Sequence, residues 1–277
     1  MQISVTVLLE NHAENNGCMA EHGLSLFIET PGHHVLFDTG ASSLFARNAA
    51  KMELELFGAD SIVISHGHLD HGGGIAKALR EASNANIYLH KNAVSPCYFV
   101  KNGKKKYIGF PDSALKALAE ADEMGRVIYL EDDKKLSENS LMFTSAKFAE
   151  PDSHSSLFRE YPGGEIDHDD FSHEIFLIVE GDYSSCLFTG CSHPGILKII
   201  EQAREKSKKQ LKHLFGGIHT GETGTGIMSR IAANFADSGM QFFLGHCTGI
   251  IPFAELYKVL GNRLNPLSTG ASFTIEI

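Results

Sequence analysis

Apolar residues along this chain fall into short runs that break off at corners rich in glycine and histidine. The early run ISVTVLL reads as a first strand, and LSLFIET and HHVLFDTG read as a hairpin turning at Pro31-Gly32. SIVIS is a further strand, and GIAKALREAS after it repeats its apolar residues at helical spacing. NIYLH is another short strand. Downstream, EIFLIVEG and SCLFTGCSH form a second hairpin-like pair, followed by a helix over GILKIIEQAREKSKK. LKHLFGGIH predicts a strand, with a helix beginning near Thr225. MQFFLGHCTG is again a strand, and PFAELYKVLG a helix with Pro252 in its first turn. SFTIEI closes the series.

Two β-rich halves with interleaved helices predict an α/β sandwich, two packed sheets with helices outside, in one domain over 1–277. Residues 91–165 lack a regular pattern, and AEPDSHSSLFREYPGGEIDHDD reads as a long loop. Loops of that length in a compact domain are usually functional. The expectation is an inserted segment that partly covers the active site.

Composition fits that picture. A chain of 277 residues, 43% hydrophobic and 21% charged, has ample core for an ordinary soluble protein. No apolar run approaches the roughly 20 residues of a membrane span. The start, MQISVTVLLEN, lacks a basic n-region and a small-residue cleavage site, so the expected location is the cytoplasm. A net charge of −10 argues against a nucleic-acid partner, and KNGKKK at 101–106 reads as a solvated hairpin tip. Cys18, Cys97, Cys186, Cys191 and Cys247 are odd in number and show no CxxC spacing, which implies reduced thiols. Nothing in the sequence specifies an oligomeric state. The 15 histidines are the unusual feature, because they cluster.

The densest cluster is SHGHLDHGGG, directly after the apolar strand SIVIS. Neutral imidazoles and a carboxylate suit zinc, iron or manganese. In an extended segment His66 and His68 point the same way and can grip one ion as a pair. As the chain turns into a helix, Asp70 and His71 aim at a neighbouring point where a second ion could sit. Two ions roughly 3.5–4 Å apart can activate a water and clamp the oxygens of a displacement. A polar helix entry, with Asp70 as its cap, would suit one histidine but not this concentration.

HxHxDH preceded by LFDTG and followed by glycines resembles the metallo-β-lactamase superfamily. EHGLSLFIE, VLFDTG, SHGHLDHGGG, TGCSHPGI, GGIHT and GHCTG, in that order, resemble the branch that includes the dihydropterin ribofuranosylaminobenzene phosphate synthases and many metal-dependent hydrolases. The resemblance implies an αββα sandwich of two mixed sheets flanked by helices, with two divalent ions, zinc first, at one sheet edge. It places His193 and His246 among the ligands and His219 at the site, as ligand or substrate donor. In the superfamily the strand end TGCSH usually carries a bridging aspartate. Cys191 stands there instead, either as a thiolate ligand or as a buried core thiol. Asp38 would support a ligand through a hydrogen bond, or merely shape a turn with Gly40.

Other residues are less marked. Asn11, Glu21 and His22 belong to a polar segment between strands that suits a binding loop, and the resemblance puts Glu21 and His22 near the pocket. His154, His168, Asp170 and His173 precede EIFLIV without a motif and read as structural, so His193 is preferred as third ligand of the first ion. HTGETGTGIMSRIA places glycines before a helix, a turn that a substrate phosphate could use. The expected function is a metal-dependent hydrolase acting on a small anionic or phosphorylated molecule. Asp70 would steer the nucleophile, and His219 or His22 would donate to the leaving group. A synthase-like transferase releasing diphosphate, a di-iron redox centre and a non-enzymatic metal sensor are the alternatives.

Overall fold

The computed structural model describes residues 1–14, 17–144, 156–220 and 225–277, except for the Thr225 side chain. One seven-stranded sheet runs in the order Ser272–Glu276, Gln2–Leu9, Ser25–Thr30, His33–Phe37, Ser61–Val63, Asn86–His90 and Val127–Leu130. A second runs Leu264–Pro266, Gln241–Leu244, Gln210–Gly216, Ser184–Phe188, Ile175–Glu180, Ser140–Thr144 and Lys134–Ser137. Both sheets are mixed. His33–Phe37, Ser61–Val63, Asn86–His90 and Val127–Leu130 pair in parallel, as do Ser184–Phe188, Gln210–Gly216, Gln241–Leu244 and Leu264–Pro266.

Strand alternation distributes the core into layers. In Ser25–Thr30, Leu26 and Ile28 face the second sheet, where they join Val5, Phe37, Leu177 and Phe188. Phe27 faces the other way, joining Leu36, Ile62 and Ile87 against helices Leu44–Lys51, Ile75–Glu81 and Asp112–Glu123. The outer face of the second sheet packs Ile178, Leu187 and Leu214 against helices Ile196–Lys206, Thr225–Ser238 and Ile250–Leu260. Strands buried on both faces need apolar residues on both, so these read as near-continuous hydrophobic runs. The layers are αββα, as expected.

The segment 91–165 is more regular than its sequence pattern indicates. It contains helix Asp112–Glu123, strands of both main sheets, and most of a four-stranded sheet ordered Ile166–His168, Leu157–Glu160, Cys97–Lys101 and Lys104–Tyr107. Strands such as Lys104–Tyr107 are exposed along their length, so no apolar alternation marks them. The KNGKKK run does turn as a hairpin, with Lys101 paired to Lys104. No disulfide joins the cysteines, and no described helix is long and apolar enough to cross a membrane.

Candidate metal centre

Parallel strands deliver their carboxyl ends to one edge, where ligands of α/β sheets usually bind. His33–Phe37 ends at Asp38, and Ser61–Val63 runs on to Ser65 and His66. From the second sheet, Ser184–Phe188 leads to Cys191 and His193, Gln210–Gly216 to His219, and Gln241–Leu244 to His246. His68 precedes the short helix Leu69–Gly72, which carries Asp70 and His71. Close packing shapes these turns. A Cβ on Gly67 would lie 2.4 Å from the Ala93 carbonyl, and one on Gly190 would lie 2.2 Å from Ser65 Oγ. Asp38, Phe171, Ser192 and His246 all hold a positive φ, a strained backbone state that is concentrated at this edge.

The donors fall into two groups that adjoin. In the first, one nitrogen each of His66, His68 and His193 lie within 4.8 Å of one another. His66 Nε2 is 3.0 Å from His68 Nδ1. In the second, Asp70 Oδ2 lies 3.4 Å from His246 Nε2 and 3.9 Å from His71 Nε2. Cys191 Sγ is 3.2 Å from His71 Nε2 and also groups with His66, so it stands between the two.

Hydrogen bonds at the far side of each ring set its tautomer. His71 Nδ1 donates to Asp38 Oδ2 at 2.7 Å, while Asp38 also accepts from Ser65 N and Oγ. His246 Nδ1 donates to Asn11 Oδ1 at 3.1 Å. The Asn11 amide is oriented by Gly23 N–H on its oxygen and the His246 carbonyl on its nitrogen. A neutral imidazole protonated at Nδ1 presents a lone pair at Nε2. His71 Nε2 and His246 Nε2 therefore face each other, 3.1 Å apart. Opposed lone pairs repel, so this arrangement calls for a cation or a proton between them.

Electrostatics set His71 apart from His66, His68 and His246, since burial lowers the His246 pKa as well. Burial pushes the His66 pKa well below its ordinary value and takes His68 down to about 4, so both rings are neutral donors at pH 7. Burial also opposes the charged form of His71, but Asp38 and Asp70 outweigh it and raise its pKa. Burial works against ionised Asp70, yet His71, His22 and His246 hold its carboxyl well below the usual range. The Cys191 thiol is pushed well up by burial, and only a bound cation would make it a thiolate here. Neutral imidazoles, a carboxylate and a thiol fit a divalent first-row metal.

Two more histidines border the donors. His22, whose side chain is 71% exposed, contacts Asp70 Oδ2 through Nε2 at 3.1 Å. His219 sets its ring 4.5 Å from that of His193 and groups with Cys191 and Cys247. Glu21 instead turns to the Ser42 hydroxyl, 2.8 Å away. His168 is exposed, Asp170 pairs with Arg159, and His154 and the turn at 221–224 lie outside the described residues.

Sequence reasoning missed three buried groups. Glu10 accepts from the His246 and His12 backbone N–H groups. Glu174 accepts from Cys191, Ser192 and His193 N–H, although burial lifts its pKa to about 7. His173 is fully buried beside His66 and His68, read as structural but not as part of the site's surroundings. Each lies in or beside an apolar run, where a lone polar residue signals burial and nothing about its partner.

Residues 19–191 match the Metallo-beta-lactamase superfamily, more than half of the chain. The chain belongs to that superfamily. Within it, an uncharacterised protein of Methanocaldococcus jannaschii, MJ0448, is 27% identical over 92% of this chain and 94% of its own. The 7,8-dihydropterin-6-methyl-4-(beta-D-ribofuranosyl)-aminobenzene-5'-phosphate synthase of the same organism is 26% identical, covering 95% of this chain and 94% of that protein. The crystal structure of Tm1679, a metal-dependent hydrolase of the beta-lactamase superfamily, superposes with a TM-score of 0.83 at 26% identity, over 99% of this chain and 100% of that one. The αββα layers described above are thus the superfamily's fold.

Proposed function

We propose that the chain is a metal-dependent hydrolase with a dinuclear centre, acting on a small anionic or phosphorylated substrate. The observation that carries this is the pair of adjoining donor groups, His66/His68/His193 and Asp70/His71/His246, with Cys191 between them. Zinc suits the set first, and iron or manganese suit it also. When bound, such ions act as Lewis acids and make water acidic enough to attack at neutral pH. The residues do the rest. Asp38 and Asn11 hold His71 and His246 in the required tautomer. Asp70 orients the attacking water, and His22, which is exposed and hydrogen-bonded to Asp70, gives a proton to the leaving group. His219, beside His193, binds the substrate.

Elemental analysis of purified protein, with hydrolysis assays on phosphoesters and other small esters, tests the reading. Two divalent ions per chain and activity lost on chelation are expected; full activity in metal-free protein would sink it. The synthase relative supports a second reading, in which the same centre assists departure of diphosphate from a dihydropterin substrate. Incubation with both synthase substrates decides between them, since coupled product arises only in the second.

A further inference from the structure

The two donor groups are braced largely by different parts of the chain. Around the first, residues 169–175 make contact on every side. His173 Nδ1 accepts the Gly67 N–H at 3.1 Å, inside the His66-Gly67-His68 turn. Its Nε2 donates to Asp169 Oδ2 at 3.0 Å, and Asp169 is held in turn by Phe171 N–H and by Arg159. The adjacent Glu174 takes Ser192 N–H at 2.7 Å and Cys191 N–H at 3.2 Å on Oε1, and His193 N–H at 2.9 Å on Oε2. Ile175 N–H reaches the Ser65 carbonyl at 2.7 Å. The Phe171 ring stacks on the His193 ring, with centroids 4.4 Å apart and planes 13° off parallel.

Ser172 and His173 form a turn, closed by Glu174 N–H on the Phe171 carbonyl at 3.0 Å, just before strand Ile175–Glu180. His173 and Glu174 grip two loops at once, one carrying His66 and His68 and the other carrying His193. This dipeptide ties the two loops together by side-chain hydrogen bonds, alongside the Ile175 N–H on Ser65 and the Phe171 ring on His193. The second donor group has further supports, Asp38 on His71 and Asn11 and Glu10 on His246, and Asp38 also reaches the first group through Ser65 Oγ, 2.9 Å from His66 Nδ1.

We propose that His173 and Glu174 are positioning residues chiefly for one half of the centre, fixing His66, His68 and His193 as a set, while Asp70, His71 and His246 keep supports of their own and meet Glu174 through Cys191. The inference rests on the two groups being metal sites, as proposed above. Neither residue offers an atom to an ion. His173 uses both ring nitrogens on Gly67 and Asp169, and Glu174 uses both oxygens on backbone N–H groups.

Cobalt binding to the full-length protein tests this, read by visible spectroscopy and by competition with a chelator. Wild type should take two ions. Glu174→Gln keeps the shape but turns an NH2 group toward backbone donors, and His173→Leu removes the acceptor for Gly67. Each should retain one ion close to wild-type affinity and bind the other roughly 10–100-fold more weakly. His173→Asn, whose amide oxygen replaces Nδ1, should restore most of the loss. Two ions bound by both variants as in wild type would overturn the proposal, and so would equal weakening of both ions. Thermal melts of the metal-free variants identify one that does not fold, and the His173→Leu and His173→Asn pair then decides. If wild type takes no ion, or His66→Ala/His68→Ala takes as many as wild type, the metal reading itself fails.

Discussion

The two donor groups share an edge of the fold but not a character. His66, His68 and His193 offer imidazoles alone, all nearly inaccessible, with an aromatic ring stacked behind them. Asp70, His71 and His246 include one carboxylate and sit beside two more, Asp38 and Glu10, and open toward solvent at His22. A neutral, enclosed set holds an ion by geometry. A set rich in carboxylates attracts one by charge and leaves room for water and substrate on its exposed side. On the proposed function, anchoring would fall to the first group and the working face to the second.

The largest effect expected on the ions comes from His66→Ala/His68→Ala. Removing two of three donors should empty the anchoring site and drop hydrolysis to the uncatalysed background. Ion content by elemental analysis and a rate assay check this together. Retained activity would mean that the second group works unaided, and the division of labour would be wrong.

A smaller effect is expected from Asp38→Asn. The carboxylate takes three hydrogen bonds, from His71 Nδ1, Ser65 N and Ser65 Oγ. An amide can place its oxygen on only part of that set, and it removes the charge that favours a cation nearby. Affinity for the ion at His71 should fall roughly 10–100-fold, as for other residues that orient a metal ligand. Chelator competition measures it. Because Ser65 Oγ also reaches His66 Nδ1 at 2.9 Å, only a loss larger at the His66/His68/His193 group than at His71 would reverse the comparison.

In the metal-free protein His68 and His71 should respond to pH with opposite signs, although burial lowers the His246 pKa as it does that of His68. His68 is held at about 4 by burial, whereas the unfolded chain keeps the ordinary 6.5. Between those values the unfolded state binds a proton that the folded state refuses, so stability falls as pH drops, by up to ~1.4 kcal/mol per pH unit. His71 has the reverse shift, because Asp38 and Asp70 overcome its burial. Its contribution is full below pH 6.5 and is lost as pH rises through the raised value. Imidazole NMR of metal-free protein should find His71 titrating above 6.5 and His68 near 4. The opposite order would break the contrast.

How far the sequence revealed this depends on how local each feature is. His66, His68, Asp70 and His71 fall within six positions after an apolar strand, so spacing alone exposes them. His193 and His246 stand at strand ends but need the family pattern to be singled out. His173 and Glu174 carry no such mark. His173 meets Gly67 across 106 positions, and Glu174 meets a loop 17 to 19 positions on, contacts that only the folded sheets create. The four-stranded sheet was hidden for a different reason. Lys104–Tyr107 is exposed throughout and Ile166–His168 likewise, so hydrophobic periodicity had nothing to register.

The smallest effect on the ions is expected at His22, where the comparison meets solvent. Asp70 raises its pKa through a hydrogen bond, against the opposing effect of burial, so more of the ring is protonated near neutrality than in an isolated histidine. That suits a donor to a leaving group. His22→Gln keeps a hydrogen-bond donor for Asp70 but cannot titrate. Ion content should therefore match wild type, and stability should shift by no more than about 0.5 kcal/mol, as for most exposed positions. The rate is where the change belongs. A lost general acid lowers kcat by roughly 100-fold or more, and the limb of the pH–rate profile at which wild type loses activity with rising pH should disappear. If kcat holds and only KM rises, His22 binds the substrate's charge, and the proton must come from His219.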